Sequence, residues 1–257
     1  MRIGDLQKLS TSDFPGKQAA VIHTQGCNLR CPFCHNPELV EPARFGPAIP
    51  EEKVIEFLRS RVGKLDAVVI TGGEPTVHDD LPDFLAKVRR LGYAIKLETN
   101  GTRPEMVRRL AAEGLVDYIA MDVKAPLPNY AQLAGKKIDT EAIKTCIWVI
   151  KNSGLAHEFR TTVIPGMHTT RELKEIAELV HGCDCYVVQD FISDTPLRPD
   201  LKGRPAFPGK PLNDIKAYMA RRVKRYEHRA STEAKHMPVG RRSGANASLL
   251  EPMEVAS

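Results

Sequence analysis

The sequence has no apolar run long enough to cross a membrane. Its longest apolar stretches, residues 67–70 and 146–150, fall far short of the roughly 20 residues that a membrane-spanning helix needs. The first residues also lack the apolar segment of a secretory signal. We therefore expect a cytoplasmic protein that does not use a membrane, and because the cytosol is reducing, we expect its cysteines to be free of disulfides.

Aromatic residues and excess charge are also scarce. Aromatic side chains make up 6% of the 257 residues, and the net charge is +5. No basic stripe interleaved with aromatics accompanies this charge, which argues against a nucleic-acid partner. The densest basic segment falls in the last predicted helix, where it indicates either a solvated face or a docking site for an acidic partner protein. Its members are Lys216, Arg221, Arg222, Lys224, Arg225 and Arg229.

Apolar, β-branched runs alternate with segments of helical period along most of the chain. Strands are predicted over residues 18–24, 66–71, 94–99, 117–123, 158–163 and 185–191, and helices over 51–62, 81–91, 103–113, 139–152, 170–181 and 211–228. Six successive β/α units require parallel strands with right-handed crossovers, but they are too few for a closed eight-stranded barrel. The sequence therefore predicts an α/β protein with an open, partial (β/α)6 TIM-like barrel. A flat doubly wound sheet is the alternative, although the first βα loop lacks a G-x-G-x-x-G motif.

One catalytic domain is expected over residues 1–228, because a chain of this length can bury a single sizeable core. Beyond that point the sequence shows no sustained hydrophobic period. Residues 229–257 are therefore predicted to form a disordered tail.

Three of the six cysteines lie close together in the loop after the first predicted strand. Cys27, Cys31 and Cys34 form a C-x-x-x-C-x-x-C run. A structural zinc site normally has four protein ligands, whereas three thiolates on a cubane [4Fe–4S] cluster leave one iron open to a further ligand. The spacing favours the iron–sulfur cluster. A zinc site completed by His35 or a remote cysteine, and a ferredoxin-like electron-transfer centre, are the alternatives.

This cysteine run, with an aromatic residue before its last cysteine, resembles the signature of the radical S-adenosylmethionine (SAM) superfamily. Three further segments resemble the cofactor-binding segments of that superfamily in order: residues 71–75 (Thr-Gly-Gly-Glu-Pro), 98–101 (Glu-Thr-Asn-Gly) and 121–124 (Met-Asp-Val-Lys). Each follows a predicted strand. Because the carboxyl ends of barrel strands meet at one mouth, we expect these segments to converge on one site.

The resemblance implies a [4Fe–4S] cluster on the three cysteines, with S-adenosylmethionine bound at the open iron. It implies that Gly72, Gly73 and Glu74 present backbone groups to the ammonium of the cofactor's methionine part. Lys124, together with Arg160, is expected to offset the carboxylate of the same part.

The remaining expected cofactor contacts surround the adenosyl part. Phe33 and His35, which flank the last cysteine of the run, are expected to lie against it. The other residues that the resemblance implies for the cofactor site are Thr99, Asn100 and Asp122.

Within the superfamily, residues 31–37 (Cys-Pro-Phe-Cys-His-Asn-Pro) resemble the glycyl-radical-activating branch. That branch includes the activating proteins of anaerobic ribonucleoside-triphosphate reductase and pyruvate formate-lyase activating enzyme. The resemblance implies reductive cleavage of SAM, with flavodoxin or ferredoxin as electron donor, and hydrogen abstraction from a glycine of a partner, expected to be anaerobic ribonucleotide reductase. No general base is required, and the sequence shows no Ser-His-Asp set or paired carboxylates.

Two positions depart from that branch. Glu98 stands where the branch typically has an aspartate, which leaves open a monovalent-cation site that would use this carboxylate. The histidine expected near the end of the sixth predicted strand is absent, since residues 188–191 read Val-Gln-Asp-Phe. A small-molecule enzyme resembling 7-carboxy-7-deazaguanine synthase is the main alternative, by fold analogy. A non-catalytic metal-binding or electron-transfer module is the remote one.

Overall fold

The computed structural model describes residues 1–230 and contains one eight-stranded sheet whose strand order follows the chain. The strands are β1 (Ile3–Phe14), β2 (Lys17–Thr24), β3 (Ala67–Gly72), β4 (Ala94–Thr99), β5 (Tyr118–Asp122), β6 (Ala156–Val163), β7 (Cys185–Asp190) and β8 (Arg225–Arg229). The helices are α1 (Pro37–Val40), α2 (Glu51–Ser60), α3 (Leu81–Arg90), α4 (Pro104–Ala112), α5 (Tyr130–Ala134), α6 (Thr140–Asn152), α7 (Thr170–Leu179) and α8 (Gly209–Met219). β1 is antiparallel to β2, and every later neighbouring pair is parallel.

The predicted open, partial (β/α)6 barrel is confirmed. Strands β2 to β7 are the six predicted strands, and each of β2 to β6 is followed by a helix close to its predicted bounds. Helix α7 begins with a capping box, since Thr169 and Glu172 exchange side-chain and backbone hydrogen bonds. Within residues 1–230, no strand pairing joins β8 back to β1, so the barrel has an open side.

Two strands were not predicted, and the last helix is shorter than predicted. α8 ends at Met219 instead of residue 228, and the chain then forms β8. β8 reads Arg-Tyr-Glu-His-Arg and lacks the apolar run that marks a strand in a sequence. Its Arg229 is stabilised by an ion pair with the buried Glu158 of β6 rather than by apolar packing. β1 is likewise polar and half-exposed along most of its length.

The predicted basic face of a last helix is therefore wrong. Arg225 and Arg229 belong to a strand, and most of the basic segment is paired with carboxylates from other elements or from β8 itself. These ion pairs are Arg222–Glu178, Lys224–Asp184, Arg225–Glu227 and Arg229–Glu158.

Apolar side chains form two layers around the sheet. The larger layer lies between the strands and the outer helices, as expected for strands covered by helices. The smaller one fills the amino-terminal end of the barrel interior with mostly small residues, and Phe14 packs there against Tyr118. The carboxyl end of the barrel interior is polar. We therefore look for a binding or catalytic site at that end.

Strand β8 continues the sheet to Arg229, one residue past the predicted end of the catalytic domain. Residues 231–257 of the predicted tail lie outside the described residues, so the disorder of the tail stays a prediction. Among the helices of residues 1–230, none has both the length and the apolar character needed to cross a membrane.

Candidate active site at the mouth of the barrel

A cavity with about 840 Å³ of empty space opens where the carboxyl ends of β3 to β6 meet the cysteine loop. Every residue that the sequence predicted for the site lines this cavity. These residues are Cys27, Cys31, Phe33, Cys34, His35, Gly72, Gly73, Glu74, Thr99, Asn100, Asp122, Lys124 and Arg160.

The cysteine loop, between β2 and α1, is held from one side by α5. The Cys34 N–H donates to the Cys31 carbonyl (3.0 Å) and closes a turn between two of the cysteines. The Arg30 N–H donates to the Ala134 carbonyl at the end of α5 (2.9 Å). Gly135 follows in the left-handed conformation (φ 67°), and a Cβ there would overlap the Arg30 carbonyl. Only glycine lets α5 come this close to the loop.

A second segment holds the cysteine loop from another side. This crossing segment is the connection between β7 and α8, residues 191–208. Its Leu197 N–H donates to the Cys34 carbonyl (2.7 Å), and its Arg198 N–H donates to the Pro32 carbonyl (2.9 Å). Because these two carbonyls flank Phe33, the crossing segment fixes the backbone around the third cysteine.

The surroundings of the thiols fit an iron–sulfur cluster. Burial raises the pKa of Cys27 to about 11 and that of Cys34 to about 12, so both thiols need a bound cation to ionise at neutral pH. The Leu29 N–H lies 3.4 Å from Cys27 Sγ, and the Asn100 amide nitrogen lies 3.9 Å from the same sulfur. N–H donors directed at sulfur are a recurrent feature of cluster ligands.

The thiols are not arranged around a single ion. Within residues 1–230, no three His, Cys, Asp or Glu side chains surround one ion position. In a cubane cluster each thiolate binds a different iron, so its three ligands do not have to meet at one point.

Glu74 ties the end of β3 to the end of β4. Its buried carboxylate accepts hydrogen bonds from the Thr76 N–H (3.2 Å) and hydroxyl, from the Thr99 hydroxyl (2.6 Å) and from the Asn100 N–H (2.6 Å). Burial raises the pKa of Glu74, and these donors oppose that rise. The Glu74 carboxylate is therefore engaged by protein donors. This is consistent with the expectation that the segment offers its backbone, and not this side chain, to the cofactor.

The backbone of residues 72–74 is packed directly on the cysteine loop. The Gly73 N–H donates to the Thr24 carbonyl and the Glu74 N–H to the Gly26 carbonyl, both at 2.8 Å. A Cβ on Gly73 would overlap the Gly26 carbonyl, so this close approach requires glycine. With these N–H groups bonded inside the protein, the carbonyls are the groups suited to an ammonium.

Lys124 places a cation beside the thiols. Its ammonium lies 3.4 Å from the Asp122 carboxylate and 5.7 Å from the centre of the Phe33 ring. Burial lowers the pKa of Lys124, but the neighbouring Cys31 and Asp122 outweigh burial, and the net shift is upward. His168 Nε2 lies 2.9 Å from the Lys124 carbonyl and fixes the backbone at this position.

Arg160 on β6 is held between two carboxylates. Its Nε donates to Asp122 (2.9 Å) and its Nη1 donates to Glu98 (2.7 Å). Burial raises the pKa of Glu98, but Arg160 and the Lys96 ammonium at 3.2 Å outweigh it, so this pKa is lowered. Since the guanidinium already pairs with protein carboxylates, its role toward the cofactor stays a prediction.

Sequence reasoning missed the buried ion cluster below this cavity. Lys96 is only 2% exposed, donates to the Asp13 carbonyl (2.7 Å) and lies 3.4 Å from Glu158. Glu158 also accepts from Arg229 of β8 (2.9 Å). The sequence did contain a signal for this cluster: Lys96 and Glu98 interrupt an otherwise apolar strand. Because residues two apart share one strand face, the two charges had to lie side by side.

Strand β7 ends at Asp190, near the place where the resemblance led us to expect a histidine. His228 of β8 supplies an imidazole next to it, with Nε2 2.9 Å from the Asp190 carboxylate. Sequence reasoning could not find this pair, because β8 was predicted as part of a helix.

The comparison with family models decides how this arrangement is classified. A model described as the radical SAM superfamily matches residues 21–180, which run from β2 to the end of α7. The chain belongs to the radical SAM superfamily. Enzymes of this superfamily use a [4Fe–4S] cluster and S-adenosylmethionine, which agrees with the two cofactors expected from the sequence.

Individual radical SAM proteins resemble this one over most of its length. A Methanocaldococcus jannaschii protein, provisionally named a glycyl-radical enzyme activating enzyme, is 36% identical over 74% of this chain and 79% of its own. The 7-carboxy-7-deazaguanine synthase of Thermococcus kodakarensis is 30% identical over 68% of this chain and 74% of its own.

A solved structure with bound S-adenosylmethionine shares the fold. SuiB of Streptococcus suis bound to S-adenosylmethionine is 16% identical, with a TM-score of 0.63 over 80% of this chain. The chain spans about half of SuiB, since the match covers 49% of that protein. At this identity the likeness concerns the fold alone.

Proposed function

We propose that this radical SAM protein is a glycyl-radical enzyme activase whose partner is an anaerobic ribonucleoside-triphosphate reductase. The likeness to the Methanocaldococcus jannaschii protein carries the proposal, because it extends over 79% of that protein at 36% identity. The open side of the barrel supports it, since a glycine on a loop of a partner protein has to reach the cavity from outside.

The cofactors are held by the residues that line the mouth. Cys27, Cys31 and Cys34 would hold the cluster, and with only three protein thiolates it would have a position open to the methionine part of SAM. The Gly72 and Gly73 carbonyls accept from its ammonium. The Lys124 ammonium pairs with the carboxylate of the methionine part. Lys124 contributes to catalysis only by holding the cofactor in place.

Other residues orient the rest of the cofactor. Phe33 and His35 contact the adenosyl part, and Thr99 and Asn100 complete the pocket around it. Asp122 positions the Lys124 ammonium, with Arg160 holding that carboxylate in turn.

When bound, the cluster and SAM supply one-electron cleavage of a carbon–sulfur bond and the radical that removes a hydrogen atom from a glycine Cα of the partner. The chain itself binds and orients the cofactors and excludes water from the cavity. A flavodoxin or ferredoxin supplies the electron.

A small-molecule radical SAM enzyme is the second candidate. The 30% identity to the Thermococcus kodakarensis 7-carboxy-7-deazaguanine synthase favours it. A cation that is not already paired binds a substrate carboxylate more strongly than one held by protein carboxylates. Within the described residues, the cavity cations Lys124 and Arg160 are both ion-paired, and Lys124 is assigned to the cofactor. This pairing favours the activase.

Anaerobic electron paramagnetic resonance (EPR) tests the proposal. The reconstituted, reduced protein is mixed with SAM and the host's anaerobic ribonucleotide reductase, and 5′-deoxyadenosine is measured in the same sample. We expect a glycyl-radical doublet on the reductase, accompanied by 5′-deoxyadenosine. A reductase whose radical-bearing glycine is replaced by alanine is the matched control and should show no doublet. SAM cleavage with no doublet on the native reductase would contradict this partner.

A further inference from the structure

Three basic side chains next to the cysteine loop have no carboxylate partner among residues 1–230. They are Arg30, Lys136 and Lys137, which we call the loop-side patch. The Arg30 guanidinium donates to the carbonyls of Cys27 (2.8 Å) and Leu29 (2.6 Å), so it is held on the loop by neutral acceptors and not by a carboxylate.

The two lysines are brought to the same place by the backbone. They follow Gly135, whose backbone packs on Arg30, and both are exposed. The acidic residue nearest to them in the chain, Asp139, is the N-cap of α6 and accepts from the Glu141 N–H (2.9 Å). The loop-side patch therefore places two exposed lysines next to Arg30 at the side of the cysteine loop, and neither lysine forms an ion pair with Asp139.

The basic segment singled out in the sequence does not offer such a surface. Its ion pairs with Glu178, Asp184, Glu227 and Glu158 largely neutralise it. A protein partner is steered by unpaired charge, because paired charges of opposite sign cancel at a distance. The loop-side patch, by contrast, groups three basic side chains without a carboxylate partner in the described chain directly beside the cysteine loop.

We propose that the loop-side patch is the docking surface for an acidic protein that carries a one-electron redox group. The donor loses one electron and the cluster gains it, and no bond forms or breaks in this step. Electron transfer weakens steeply with distance, and Cys27 and Cys34 are partly exposed on this loop, so docking here shortens the path. The proposal rests on the radical SAM chemistry and holds whichever molecule gives up the hydrogen atom.

The test reverses the two exposed charges. The holoprotein with Lys136→Glu and Lys137→Glu is mixed in a stopped-flow instrument with a reduced flavodoxin as probe, and reduction is followed by loss of cluster absorbance. At low salt we expect reduction at least tenfold slower than in the unchanged protein, within the roughly 10- to 1,000-fold range of electrostatic steering. The neutral pair Lys136→Gln and Lys137→Gln should give an intermediate rate. Added salt should lower the reduction rate most in the unchanged protein, because salt screens the attraction that the variants have already lost.

Two controls separate docking from damage to the loop. The variant with Lys64→Glu and Arg90→Glu makes the same change in charge at the opposite, amino-terminal end of the barrel and should react at the normal rate. Photoreduced 5-deazariboflavin, a small donor, should reduce all variants equally fast. An unchanged rate with flavodoxin, an equal loss in the control variant, or equal slowing with the small donor would each overturn the proposal. Because no hydrogen donor is present, these outcomes are independent of the activase proposal.

Discussion

At the scale of single residues, the thiol ligands are expected to be the most sensitive positions. Burial raises the pKa of Cys31, so without iron its thiol stays protonated, and alanine removes only the packing of one small buried side chain. Cys31→Ala should therefore abolish cluster assembly in a chain that stays folded. The measurement is iron content and visible absorbance after anaerobic reconstitution.

The matched control for that substitution is another buried cysteine. Cys146 lies in the apolar face of α6, away from the cavity. Cys146→Ala should keep a normal iron content, with some loss of stability from the smaller side chain. Normal iron in Cys31→Ala would show that the cluster is bound elsewhere.

Lys124 should affect the cofactor and leave the cluster intact. Loss of a hydrogen bond to a charged group costs about 1.5–3 kcal/mol, or roughly 10- to 150-fold in affinity. Anaerobic calorimetric titration of Lys124→Ala with SAM should show this weakening at normal iron content. Lys87→Ala, which removes an exposed lysine paired with Glu51, is the control. Equal affinity in both variants would rule out the carboxylate role of Lys124.

At the scale of elements, the contact between α5 and the cysteine loop is expected to govern cluster retention. Gly135→Ala imposes a left-handed strain of about 1–2 kcal/mol and adds an overlap with the Arg30 carbonyl. Gly182 has a similar φ of 78°, but a Cβ there meets nothing within 4 Å. We expect both alanine variants to lose stability and only Gly135→Ala to lose iron during size-exclusion chromatography. Similar iron loss from both would mean that the contact does not matter.

The elements also show what the sequence could and could not predict. Strands β2 to β7 were found because their buried residues are apolar runs, and the site was found because four motifs follow strand ends that must converge. β1 and β8 escaped detection because they are polar, and β8 depends on Glu158, which is about 70 residues away in the chain. The crossing segment could not be predicted either, since its hydrogen bonds to the cysteine loop all end on backbone carbonyls, which no sequence motif marks.

At the scale of the whole molecule, the barrel interior combines a small apolar layer with buried ion pairs, which should make stability depend on pH. Burial raises the pKa of Glu158, but Lys96, Arg160 and Arg229 outweigh it, so the folded-state pKa lies below the ordinary value. A carboxylate with a lowered folded-state pKa contributes stability above its unfolded pKa, about 4.3, and this is lost as the pH falls toward the folded value.

Thermal unfolding followed by circular dichroism between pH 7 and pH 3 measures this contribution. Glu158→Gln should lower the melting temperature at pH 7, because it leaves buried cations short of a partner. The difference from the unchanged protein should shrink as the pH falls below about 4.3. Glu105→Gln removes an exposed carboxylate paired with Arg108 and should change little at any pH. A constant difference for Glu158→Gln across this range would contradict the lowered pKa.

The same fold places three thiols, Lys124 and the glycine-rich end of β3 around one cavity at the mouth of an open barrel. The claim that an iron left open by the three cysteines binds the cofactor can be measured without knowing the substrate. The measurement is the EPR spectrum of the reduced, reconstituted protein before and after addition of SAM. We expect a [4Fe–4S]⁺ signal whose g values change on addition, because the cofactor becomes a ligand of the cluster. An intact reduced cluster with an unchanged spectrum would contradict the proposed site.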